Sequence, residues 1–389
     1  MSFSTLGLSP VLTAPLARLA YTQPTPVQLK AIPAVRGGAD VIARAQTGTG
    51  KTAAFGLPLI DHVSVRNRRT PMSRAPRALV LVPTRELAVQ VHRALLRYGA
   101  PVNLRAAAIF GGVGMRPQVD ALFRGVDVVV ATPGRLIDHL QRRTIDLSRV
   151  EILTLDEADR MLDMGFLPSL KRVLKALPAA RQTLLFSATI SRDVTRLAAE
   201  FTRDARHIDV SEGRVVATTV THGVHAVADG GKSDALTRVL RSADAGPVLV
   251  FCKTKRRSDR VGQHLARAGI RAAVIHGSKS QGARTRALDD FRAGRVNVLV
   301  ATDIAARGLD IAQLPLVVNY DLPLAAEDYI HRVGRTGRAG RPGRAVSLVS
   351  PADRSLLPAI RKLVSAPMEE IDVCPRSVAI SADGTAARL

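Results

Sequence analysis

The sequence predicts an α/β protein of two tandem domains, each a mostly parallel sheet flanked by helices. Short apolar runs alternate with longer helical patterns through both halves of the 389 residues. A glycine-rich loop follows one of these runs near the N-terminus, and a polar segment separates the two sets. A chain of this length is long enough for two domains that each have their own core.

The apolar runs are the predicted strands of the two sheets. Each run is short, is bounded by Gly, Pro, Thr or Asp, and is followed by a helix-like stretch such as 85–98 or 255–269. This alternation is typical of βαβ units with buried parallel strands. The predicted strands are Val41–Ala45, Ala78–Val82, Val126–Ala131, Val150–Leu155 and Thr183–Phe186 in the first half, and Val248–Cys252, Ala272–Ile275, Val296–Ala301, Leu316–Asn319 and Ala345–Val349 in the second.

The domain boundaries are predicted from a change in composition near the middle of the chain. Residues 209–222 are polar, include Gly213 and three threonines, and show no sustained period, which favours a linker. We therefore assign residues 1–208 to the first domain and residues 223–355 to the second. Residues 356–389 are predicted to be a short C-terminal extension that is partly disordered, because the last 25 or so residues show only weak organisation and chain ends commonly fray.

The net charge of +23 predicts a polyanionic partner. Of the 56 basic residues only nine are lysine. Arginine suits forked contacts to phosphate better than lysine does. A GC-rich genome would explain arginine in place of lysine, but it would not explain the excess of basic over acidic residues.

Cysteine content and the N-terminus indicate a cytoplasmic protein. Two cysteines, Cys252 and Cys374, make neither a disulfide framework nor a metal site, which fits a reducing compartment. The N-terminus lacks a basic segment followed by a long apolar core, and Pro10 and Pro15 interrupt its first apolar stretch. We therefore expect no signal peptide and no membrane association.

A phosphate-binding loop is predicted at Ala45–Thr52. Asp40–Ala45 is predicted as a strand and Thr52–Val63 as a helix, which is the context this loop requires. Its glycines allow close backbone approach to phosphates, and the helix N-terminus adds its dipole. A glycine-rich turn is the alternative, but a turn does not explain the Lys-Thr pair. The predicted nucleotide-binding residues here are Thr47, Gly48, Thr49, Gly50, Lys51 and Thr52, with Lys51 on the β/γ-phosphates and Thr52 on Mg²⁺.

An acidic pair at the end of a later strand complements this loop. The run Leu153–Leu155 leads directly into Asp156 and Glu157. Carboxylates at the carboxyl end of a buried strand face the crevice where α/β sheets bind ligands. Asp156 is predicted to bind Mg²⁺, and Glu157 to orient and deprotonate the attacking water. Acids at a helix N-terminus are the alternative interpretation, and the pairing with Lys51 favours the catalytic one.

With these motifs the chain resembles the DEAD-box RNA helicases, whose motifs occur in order through nearly all of residues 3–350. The resemblance implies two RecA-like domains with ATP and Mg²⁺ as cofactors. The segment Tyr21–Gln28, with Phe3 upstream, resembles the family's adenine-reading motif. The Gln28 amide can pair with both donor and acceptor on adenine, which favours ATP over GTP. The family usually has glycine where this chain has Ala20.

Two further motifs follow from the resemblance. Ser187-Ala188-Thr189 matches the motif that couples hydrolysis to unwinding, and its hydroxyls are predicted to bond Asp159; an ordinary Ser/Thr turn is the alternative. The segment 331–338 presents three arginines at a spacing of three, and an isolated run of this kind would be a solvated basic turn. The roles that the resemblance implies in the second domain are arginine fingers for Arg335 and Arg338, pairing with the acidic motif for His331, and ribose binding for Asp310.

An RNA track is predicted from loops that follow successive strands. Thr, Gly and Arg at these places bind backbone oxygens without reading bases, although each loop alone would be interpreted as a helix cap or turn. With 3% aromatic residues the chain offers few stacking platforms, so we expect backbone and 2′-OH contacts and a preference for RNA over DNA. The predicted RNA contacts are Thr84, Arg85, Gly111, Gly112, Thr132 and Arg135 in the first domain, and Lys253, Thr254, Gln281, Arg284 and Thr302 in the second.

The sequence therefore predicts an ATP-dependent RNA helicase that locally unwinds short duplexes or remodels RNA–protein complexes. The segment His276–Leu288 and the N-terminus Met1–Phe3 are similar to the bacterial RhlE-type subgroup. An ATP-gated RNA clamp, a DNA translocase and a P-loop ATPase without a nucleic-acid role remain as alternatives. We expect a monomer whose partners include RNA and, by analogy, ribosome-assembly or RNA-decay proteins.

Overall fold

The computed structural model describes residues 2–46, 48–66, 75–210, 220–242, 246–306, 309, 311, 313–337, 342–364 and 367–371. The chain divides into two compact units. The first unit comprises residues 1–213 with 307–310, and the second comprises residues 214–306 with 311–389.

The first unit contains seven described strands and nine described α-helices. Its strands are β1 (Val41–Arg44), β2 (Ala78–Leu81), β3 (Ala106–Ile109), β4 (Val128–Ala131), β5 (Ile152–Asp156), β6 (Gln182–Ser187) and β7 (Arg206–Asp209). Its helices are α1 (Pro10–Thr13), α2 (Pro26–Arg36), α3 (Lys51–Arg66), α4 (Arg85–Gly99), α5 (Met115–Phe123), α6 (Pro133–Gln141), α7 (Ala158–Asp163), α8 (Leu167–Lys175) and α9 (Arg192–Phe201).

The second unit contains seven described strands and six described α-helices. Its strands are β8 (Val220–Ala226), β9 (Val248–Phe251), β10 (Ala272–Ile275), β11 (Val298–Ala301), β12 (Leu316–Asn319), β13 (Gly343–Val349) and β14 (Met368–Glu370). Its helices are α10 (Lys232–Ser242), α11 (Lys255–Arg267), α12 (Gln281–Arg292), α13 (Asp303–Ala306), α14 (Ala326–Val333) and α15 (Leu357–Leu363).

Each unit is built on one seven-stranded sheet in which every recorded strand pair is parallel. The strand order is β3-β4-β2-β5-β6-β1-β7 in the first unit and β10-β11-β9-β12-β13-β8-β14 in the second. The two orders are the same when each strand of the first unit is matched to the strand numbered seven higher in the second, so that β1 corresponds to β8 and β7 to β14. The same architecture therefore occurs twice. The predicted fold class is confirmed.

The parallel arrangement places the candidate functional loops together. Parallel strands all end at the same edge of their sheet, so the loops that follow neighbouring strands are neighbours too. In the first unit β6 lies between β5 and β1, which brings together the segments that follow these three strands. The central strands are apolar throughout and buried on both faces, as β2 and β4 show.

The structure differs from the predicted boundaries in two places. Asp209 ends β7 and Val220 begins β8, so strands extend into both ends of the predicted linker. Residues 211–219 lie outside the described residues. The predicted C-terminal extension supplies α15 and β14, and β14 pairs in parallel with β8. Residues 372–389, which include Cys374, lie outside the described part of the chain.

Strands β7, β8 and β14 are not predicted from the sequence because they lack the continuous apolar runs of core strands. Edge strand β7 reads Arg-His-Ile-Asp and buries only Ile208. Strand β8 carries Gly223 and two histidines, and β14 is three residues long. Pairing with a neighbouring strand, rather than an apolar run, holds them in the sheets.

None of the described helices combines the length and the apolar character needed to cross a membrane.

An ion-pair cluster ties β5 to the rest of the first unit and makes its stability depend on pH. Arg77 donates to both carboxylate oxygens of Glu151 at 2.8 and 3.0 Å, and His62 Nε2 lies 2.7 Å from Glu151 Oε2. The hydrogen bond from Arg77, opposed by burial and helped by His62, lowers the pKa of Glu151 to about 2. The carboxylate therefore stabilises the fold above its unfolded pKa, and this contribution is lost as the pH falls toward 2.

We expect Glu151→Gln to lower the melting temperature by about 2 °C at pH 7, because a partly exposed but forked ion pair is removed. The difference between variant and wild type should shrink as the pH falls below the ordinary pKa of a glutamate. Thermal unfolding followed by circular dichroism from pH 7 to pH 3 measures it. A difference independent of pH would contradict the assignment of the effect to this carboxylate.

Candidate functional site

The glycine-rich loop lies between β1 and α3, and its geometry requires glycine. Gly48 and Gly50 have φ angles of 84° and 92°, in the left-handed region. A Cβ on Gly50 would lie 2.3 Å from Gln28 Nε2, so a larger residue would clash there. Thr49 closes the turn by donating its hydroxyl to Gln46 O at 2.7 Å. Thr47 lies outside the described residues.

Lys51 begins α3 and carries a buried ammonium group. Its side chain is 5% exposed, and Nζ lies 4.0 Å from Asp156 Oδ1. Among the described residues, Nζ has no hydrogen-bond partner. A buried charge without hydrogen bonds is costly, and an anionic ligand beside the helix N-terminus would satisfy it. Thr52 follows in the first turn of the same helix.

Asp156 and Glu157 stand at the end of β5 as the sequence predicts, and both are buried. Burial raises the pKa of Asp156 to about 6, although the charge of Lys51 opposes the shift. Glu157 has a φ of 56°, a left-handed conformation that is strained for a residue with a side chain. The Glu157 N–H donates to Asp156 Oδ1 at 3.0 Å, which orients the Asp156 carboxylate.

Arg160 is a site residue that the sequence reasoning missed. Its Nη1 donates to Glu157 Oε2 at 2.6 Å, and both side chains are less than 10% exposed. The spacing of three residues places them on one face of the first turn of α7. The pair holds the Glu157 carboxylate in one orientation, and the i,i+3 spacing is the signal that could have revealed it.

Three residues from two loops form one hydrogen-bonded network. Asp159 Oδ2 accepts from the backbone N–H and the hydroxyl of Thr189 at 2.9 and 3.0 Å. Ser187 Oγ accepts from Asp159 N at 3.2 Å and donates to Thr189 O at 2.7 Å. Burial opposes ionisation, but the charge of Lys51 and the bonds from Thr189 lower the pKa of Asp159. The structure thus joins the segment after β6 to the acidic segment after β5.

The N-terminal motif is anchored to the loop that follows β1. Gln28 is 1% exposed; its Oε1 accepts from Thr25 N at 2.9 Å and its Nε2 donates to Gly50 O at 3.1 Å. An amide keeps one further donor and one further acceptor position, so adenine reading by Gln28 stays a prediction. The structure adds that Gln28 links α2 to the glycine-rich loop.

The Tyr21 ring is held between two other aromatic rings. Phe3 and Tyr98 meet it edge-on at 6.2 and 5.6 Å between centroids, and its hydroxyl bonds that of Tyr98. The preceding Ala20 has a φ of 63°, the conformation that glycine adopts without strain. Ala20 therefore keeps the turn geometry that a glycine would have.

The predicted RNA loops of the first unit lie at the ends of three adjacent strands, β3, β4 and β2. Arg85 packs on the backbone of Gly112, where a Cβ would lie 1.9 Å from its Nη1. Arg135 donates to Val113 O from both terminal nitrogens at 3.2 and 3.1 Å. Thr84 and Thr132 stand at the N-caps of α4 and α6. Two arginines thus converge on the glycine loop after β3.

A relay of hydrogen bonds through Gln118, His139 and Thr144 supports the same glycine loop. Gln118 Nε2 donates to Phe110 O and Gly114 O at 3.0 and 3.3 Å. Its Oε1 lies 3.4 Å from His139 Nε2, and His139 Nδ1 lies 2.8 Å from Thr144 Oγ1. A neutral imidazole that donates from Nε2 to Gln118 leaves Nδ1 as an acceptor for the Thr144 hydroxyl, which also lies 3.2 Å from His139 O. Burial, with the charge of Arg135, lowers the pKa of His139 and keeps it neutral. Sequence reasoning missed this relay.

The predicted RNA loops of the second unit follow the adjacent strands β9, β11 and β10. Thr254 caps α11 by accepting from Arg257 N at 3.2 Å, and Lys253 N donates to Asp321 Oδ2 at 2.9 Å. Gln281 and Arg284 lie on the first turns of α12, where Arg284 is buried. Thr302 follows β11 and is 8% exposed.

Arg332 departs from the expected cluster of three arginines. It is 2% exposed and donates to both carboxylate oxygens of Asp303 at 2.6 and 2.7 Å. It also donates to Asn319 Oδ1 and Asp321 O, and its guanidinium lies 5.0 Å from the centre of the Phe251 ring. Arg332 therefore joins α14 to the segment after β11 and does not present its guanidinium to a ligand.

The other predicted residues of this motif are partly described. Arg335 is buried just after α14, and His331 Nδ1 lies 3.8 Å from Asp328 Oδ1 of its own helix. Arg338 and Asp310 lie outside the described residues.

No group of three or more His, Cys, Asp or Glu side chains in the described ranges is arranged to hold a metal ion. Mg²⁺ is usually held by one or two carboxylates together with substrate phosphates and water. Asp156 and the Thr52 hydroxyl are oxygen donors that suit Mg²⁺. They lie beside Lys51, whose ammonium has no hydrogen-bond partner among the described residues, so the site fits a Mg²⁺–nucleotide complex.

Two family models match this chain. The DEAD/DEAH box helicase model matches residues 25–197, and the helicase conserved C-terminal domain model matches residues 231–340. The two matches fall in different units and include the glycine-rich loop, the acidic pair, Ser187–Thr189 and the segment 331–338, whereas Phe3 and Tyr21 precede the first match.

Curated relatives are similar over almost all of the chain. The ATP-dependent RNA helicase DeaD of Mycobacterium tuberculosis is 43% identical over 362 residues, which are 93% of this chain and 63% of that protein. The ATP-dependent RNA helicase CshA of Limosilactobacillus reuteri is 41% identical over 363 residues, 93% of this chain and 72% of that protein. The chain thus spans less than two thirds of the length of the DeaD protein.

Solved structures share the fold. Dbp5 of S. cerevisiae bound to RNA and ADP BeF3 matches with a TM-score of 0.82 and 31% identity, covering 96% of each chain. A DEAD box protein from the hyperthermophile Methanococcus jannaschii matches with a TM-score of 0.54 and 35% identity, covering 96% of this chain and 99% of that one.

Proposed function

This chain belongs to the DEAD-box helicase family, and from that premise we propose that it is an ATP-dependent RNA helicase. The observation that carries the proposal is the buried Lys51 ammonium, which lacks a hydrogen-bond partner among the described residues and lies 4.0 Å from Asp156. A phosphate chain with its magnesium ion supplies the missing partner of the lysine and neutralises the buried carboxylate.

In the proposed hydrolysis the residues of the first unit have different roles. Lys51 and the loop N–H groups hold the β- and γ-phosphates, and Glu157 orients a water and takes its proton as the water oxygen attacks the γ-phosphorus. The bond from that phosphorus to the β,γ-bridging oxygen breaks, and ADP leaves with inorganic phosphate as the second product. Arg160 keeps the Glu157 carboxylate in place. When bound by Asp156 and Thr52, Mg²⁺ would neutralise charge on the phosphate oxygens.

The second unit is proposed to complete the site with its arginines. Family resemblance assigns Arg335 and Arg338 to the γ-phosphate, His331 to the acidic motif, and Asp310 to the ribose. Such arginines are worth about 10³–10⁵ in rate in comparable enzymes. The network of Asp159, Ser187 and Thr189 supports a coupling role because it links the catalytic strand end to the next loop.

RNA is the proposed substrate, bound through its backbone. The predicted contacts stand at the ends of adjacent strands in each unit, as hydroxyl, glycine and arginine groups suited to phosphate. Dbp5, a structural relative, was solved bound to RNA. We further propose Mg²⁺ as the metal, a cytoplasmic monomer of the RhlE-type subgroup, and ribosome-assembly or RNA-decay proteins as partners.

Steady-state ATP hydrolysis at fixed low salt, with and without single-stranded RNA, tests the proposal. We expect strong stimulation by RNA and little by DNA of matched sequence. A rate of ATP hydrolysis that neither RNA nor DNA changes would refute the proposal and favour a P-loop ATPase with another role. Equal stimulation by DNA would favour a translocase, and RNA-stimulated turnover without strand separation would favour an RNA clamp.

The relay behind the glycine loop makes a separate prediction. Gln118→Leu leaves two backbone carbonyls and the His139 N–H without partners, which costs about 1–3 kcal/mol and loosens the loop. We expect the RNA concentration for half-maximal ATPase stimulation to rise about tenfold, while kcat and the KM for ATP stay near wild type. Gln141→Leu, at the exposed end of α6, is the matched control. An unchanged RNA requirement would show that the relay does not position the loop.

A further inference from the structure

Helix α11 carries an unusual concentration of positive charge. Its 13 residues include Lys255, Arg256, Arg257, Arg260 and Arg267, against the single acid Asp259. Its inner face buries Ser258, Val261 and Leu265 against the sheet. The helix begins directly after Thr254, in the predicted RNA loop that follows β9.

Three of these arginines form one continuous outer face. Arg256, Arg260 and Arg267 are exposed, and at 3.6 residues per turn they lie within an arc of about 40°. The face extends about 16 Å along the helix, at 1.5 Å per residue. Within the described chain, none of the three makes an ion pair. We call these three residues the α11 arginine face.

The other charged groups of the helix are directed elsewhere. Arg257 donates to Asp321 Oδ1 at 2.7 Å. Asp259 pairs with His276 Nε2 at 3.0 Å and with Lys279 Nζ at 2.9 Å, in the segment after β10. Partial burial opposes the effect, but the hydrogen bonds with Lys279 and His276 lower the pKa of Asp259. The single acid of the helix is therefore neutralised away from the α11 arginine face.

Neighbouring helix α10 enlarges the positive surface. Arg241 donates to Ala268 O at 3.1 Å, at the C-terminal end of α11, and Arg238 is exposed one turn earlier. The exposed acid Asp234 lies 3.8 Å from His264. The large exposed apolar side chains of the described residues all lie outside α10 and α11. Arginine alone occurs at protein interfaces as well, but a surface without exposed apolar anchors lacks the apolar centre of a protein-binding hot spot.

We propose that the α11 arginine face binds the phosphate backbone of RNA that flanks the core RNA track. The inference rests on the proposed function, because the face continues from the Lys253–Thr254 loop. Arginine forks bind phosphate oxygens without reading bases, so the contact is independent of sequence. Its effect is to hold the enzyme on RNA that is longer than the core site occupies.

The test compares two RNAs and two variants. The core RNA is the shortest oligo(U) that stimulates wild-type ATPase fully, and the flanked RNA carries single-stranded extensions on both sides. The variant R256Q/R260Q/R267Q removes the face. The control R124Q/R142Q/R149Q removes the same charge from exposed arginines of the first unit, at the edge where its strands begin.

For wild type we expect the flanked RNA to bind more tightly than the core RNA. The face variant should bind the flanked RNA about tenfold more weakly, with the salt slope of log K reduced by about 2 for three lost phosphate contacts. It should bind the core RNA within about twofold of wild type and keep its ATPase on that RNA. The control variant should keep the wild-type preference for flanked RNA.

Four outcomes would overturn the inference. In the first, wild type binds flanked RNA no more tightly than core RNA; in the second, the face variant loses equal affinity for both RNAs. In the third, the control variant loses as much affinity for flanked RNA as the face variant does. In the fourth, the face variant loses binding to phosphatidylserine vesicles but not to flanked RNA. The last would assign the face to a membrane surface. Failure of wild type to bind any RNA would instead refute the proposed function and the inference together.

Discussion

Glu157→Gln is expected to reduce ATP turnover by at least about 10²-fold while ATP binding stays within a few-fold of wild type. Glutamine keeps the shape of the side chain and can still accept from Arg160, but it cannot take a proton from water. The groups proposed to bind the phosphates (Lys51 and the loop N–H groups) and the carboxylate proposed to bind Mg²⁺ (Asp156) are untouched. Because hydrolysis stops after binding, the variant should accumulate as a complex with ATP and RNA.

Measurement requires turnover and affinity on the same preparations. Steady-state phosphate release gives kcat, and a fluorescent ATP analogue gives the dissociation constant. Glu151→Gln is the matched control, since it makes the same change in the same unit beside Arg77, away from the loop. Wild-type turnover in Glu157→Gln would mean that another group activates the water.

Lys51→Ala is expected to abolish measurable hydrolysis and to weaken ATP binding by more than about tenfold, because it removes the charge that faces the phosphates. The stability of the free protein should change little, because removing a buried ammonium that lacks hydrogen bonds offsets the loss of its 4.0 Å ion pair with Asp156. Nζ makes no hydrogen bond within the described residues, so its removal leaves no protein group without a hydrogen-bond partner there. Calorimetric ATP binding and thermal unfolding, taken together, separate the two effects.

The second unit offers a direct comparison for this lysine. Lys232 begins α10 after β8, as Lys51 begins α3 after β1, and the two strands hold the same place in their sheets. Lys232 Nζ, however, is fully engaged: it lies 2.9 Å from Tyr320 O, 3.3 Å from Asp321 Oδ1 and 2.7 Å from Asp353 Oδ2. Carboxylates thus supply the anionic partner of Lys232, whereas for Lys51 we propose that a phosphate does so.

Lys232→Ala should therefore destabilise the protein by about 3 kcal/mol, because Asp353 loses its cation and the buried Asp321 keeps only Arg257. Lys51→Ala should not. If Lys51→Ala lowered the melting temperature as much as Lys232→Ala, the Lys51 ammonium would be a structural group and the nucleotide site would lose its main support. Wild-type hydrolysis in Lys51→Ala would refute the phosphate role outright.

The order of motifs and the central strands could be predicted because they are local properties of the chain. Runs such as Ala78–Leu81 are apolar at every position, and a strand buried on both faces requires this. The Lys-Thr pair after glycines, and the acids after Leu155, place chemistry at strand ends through chain connectivity alone. No knowledge of distant contacts is needed for either.

The edge strands, and the hydrogen-bond partners of buried polar side chains, could not be predicted in this way. Strand β14 is recognised only by its pairing with β8, far away in sequence. Nothing in the sequence around Arg332 shows that Asp303 and Asn319 accept hydrogen bonds from its guanidinium, because both lie on other segments of the fold. The relay through Gln118 and His139 joins residues 21 positions apart by their polar atoms, and no period in the sequence marks it.

The sequence by itself determined the fold class, the two phosphate-facing motifs and the positive charge of this protein, because burial pattern, spacing and composition are written along the chain. Only the tertiary structure decided which charges are engaged. Lys51 and Lys232 follow similar loops, and the α11 arginine face and Arg257 share one helix. Their difference comes from which carboxylates the folded sheet brings within hydrogen-bonding distance, and those distances are set by packing between segments remote in sequence.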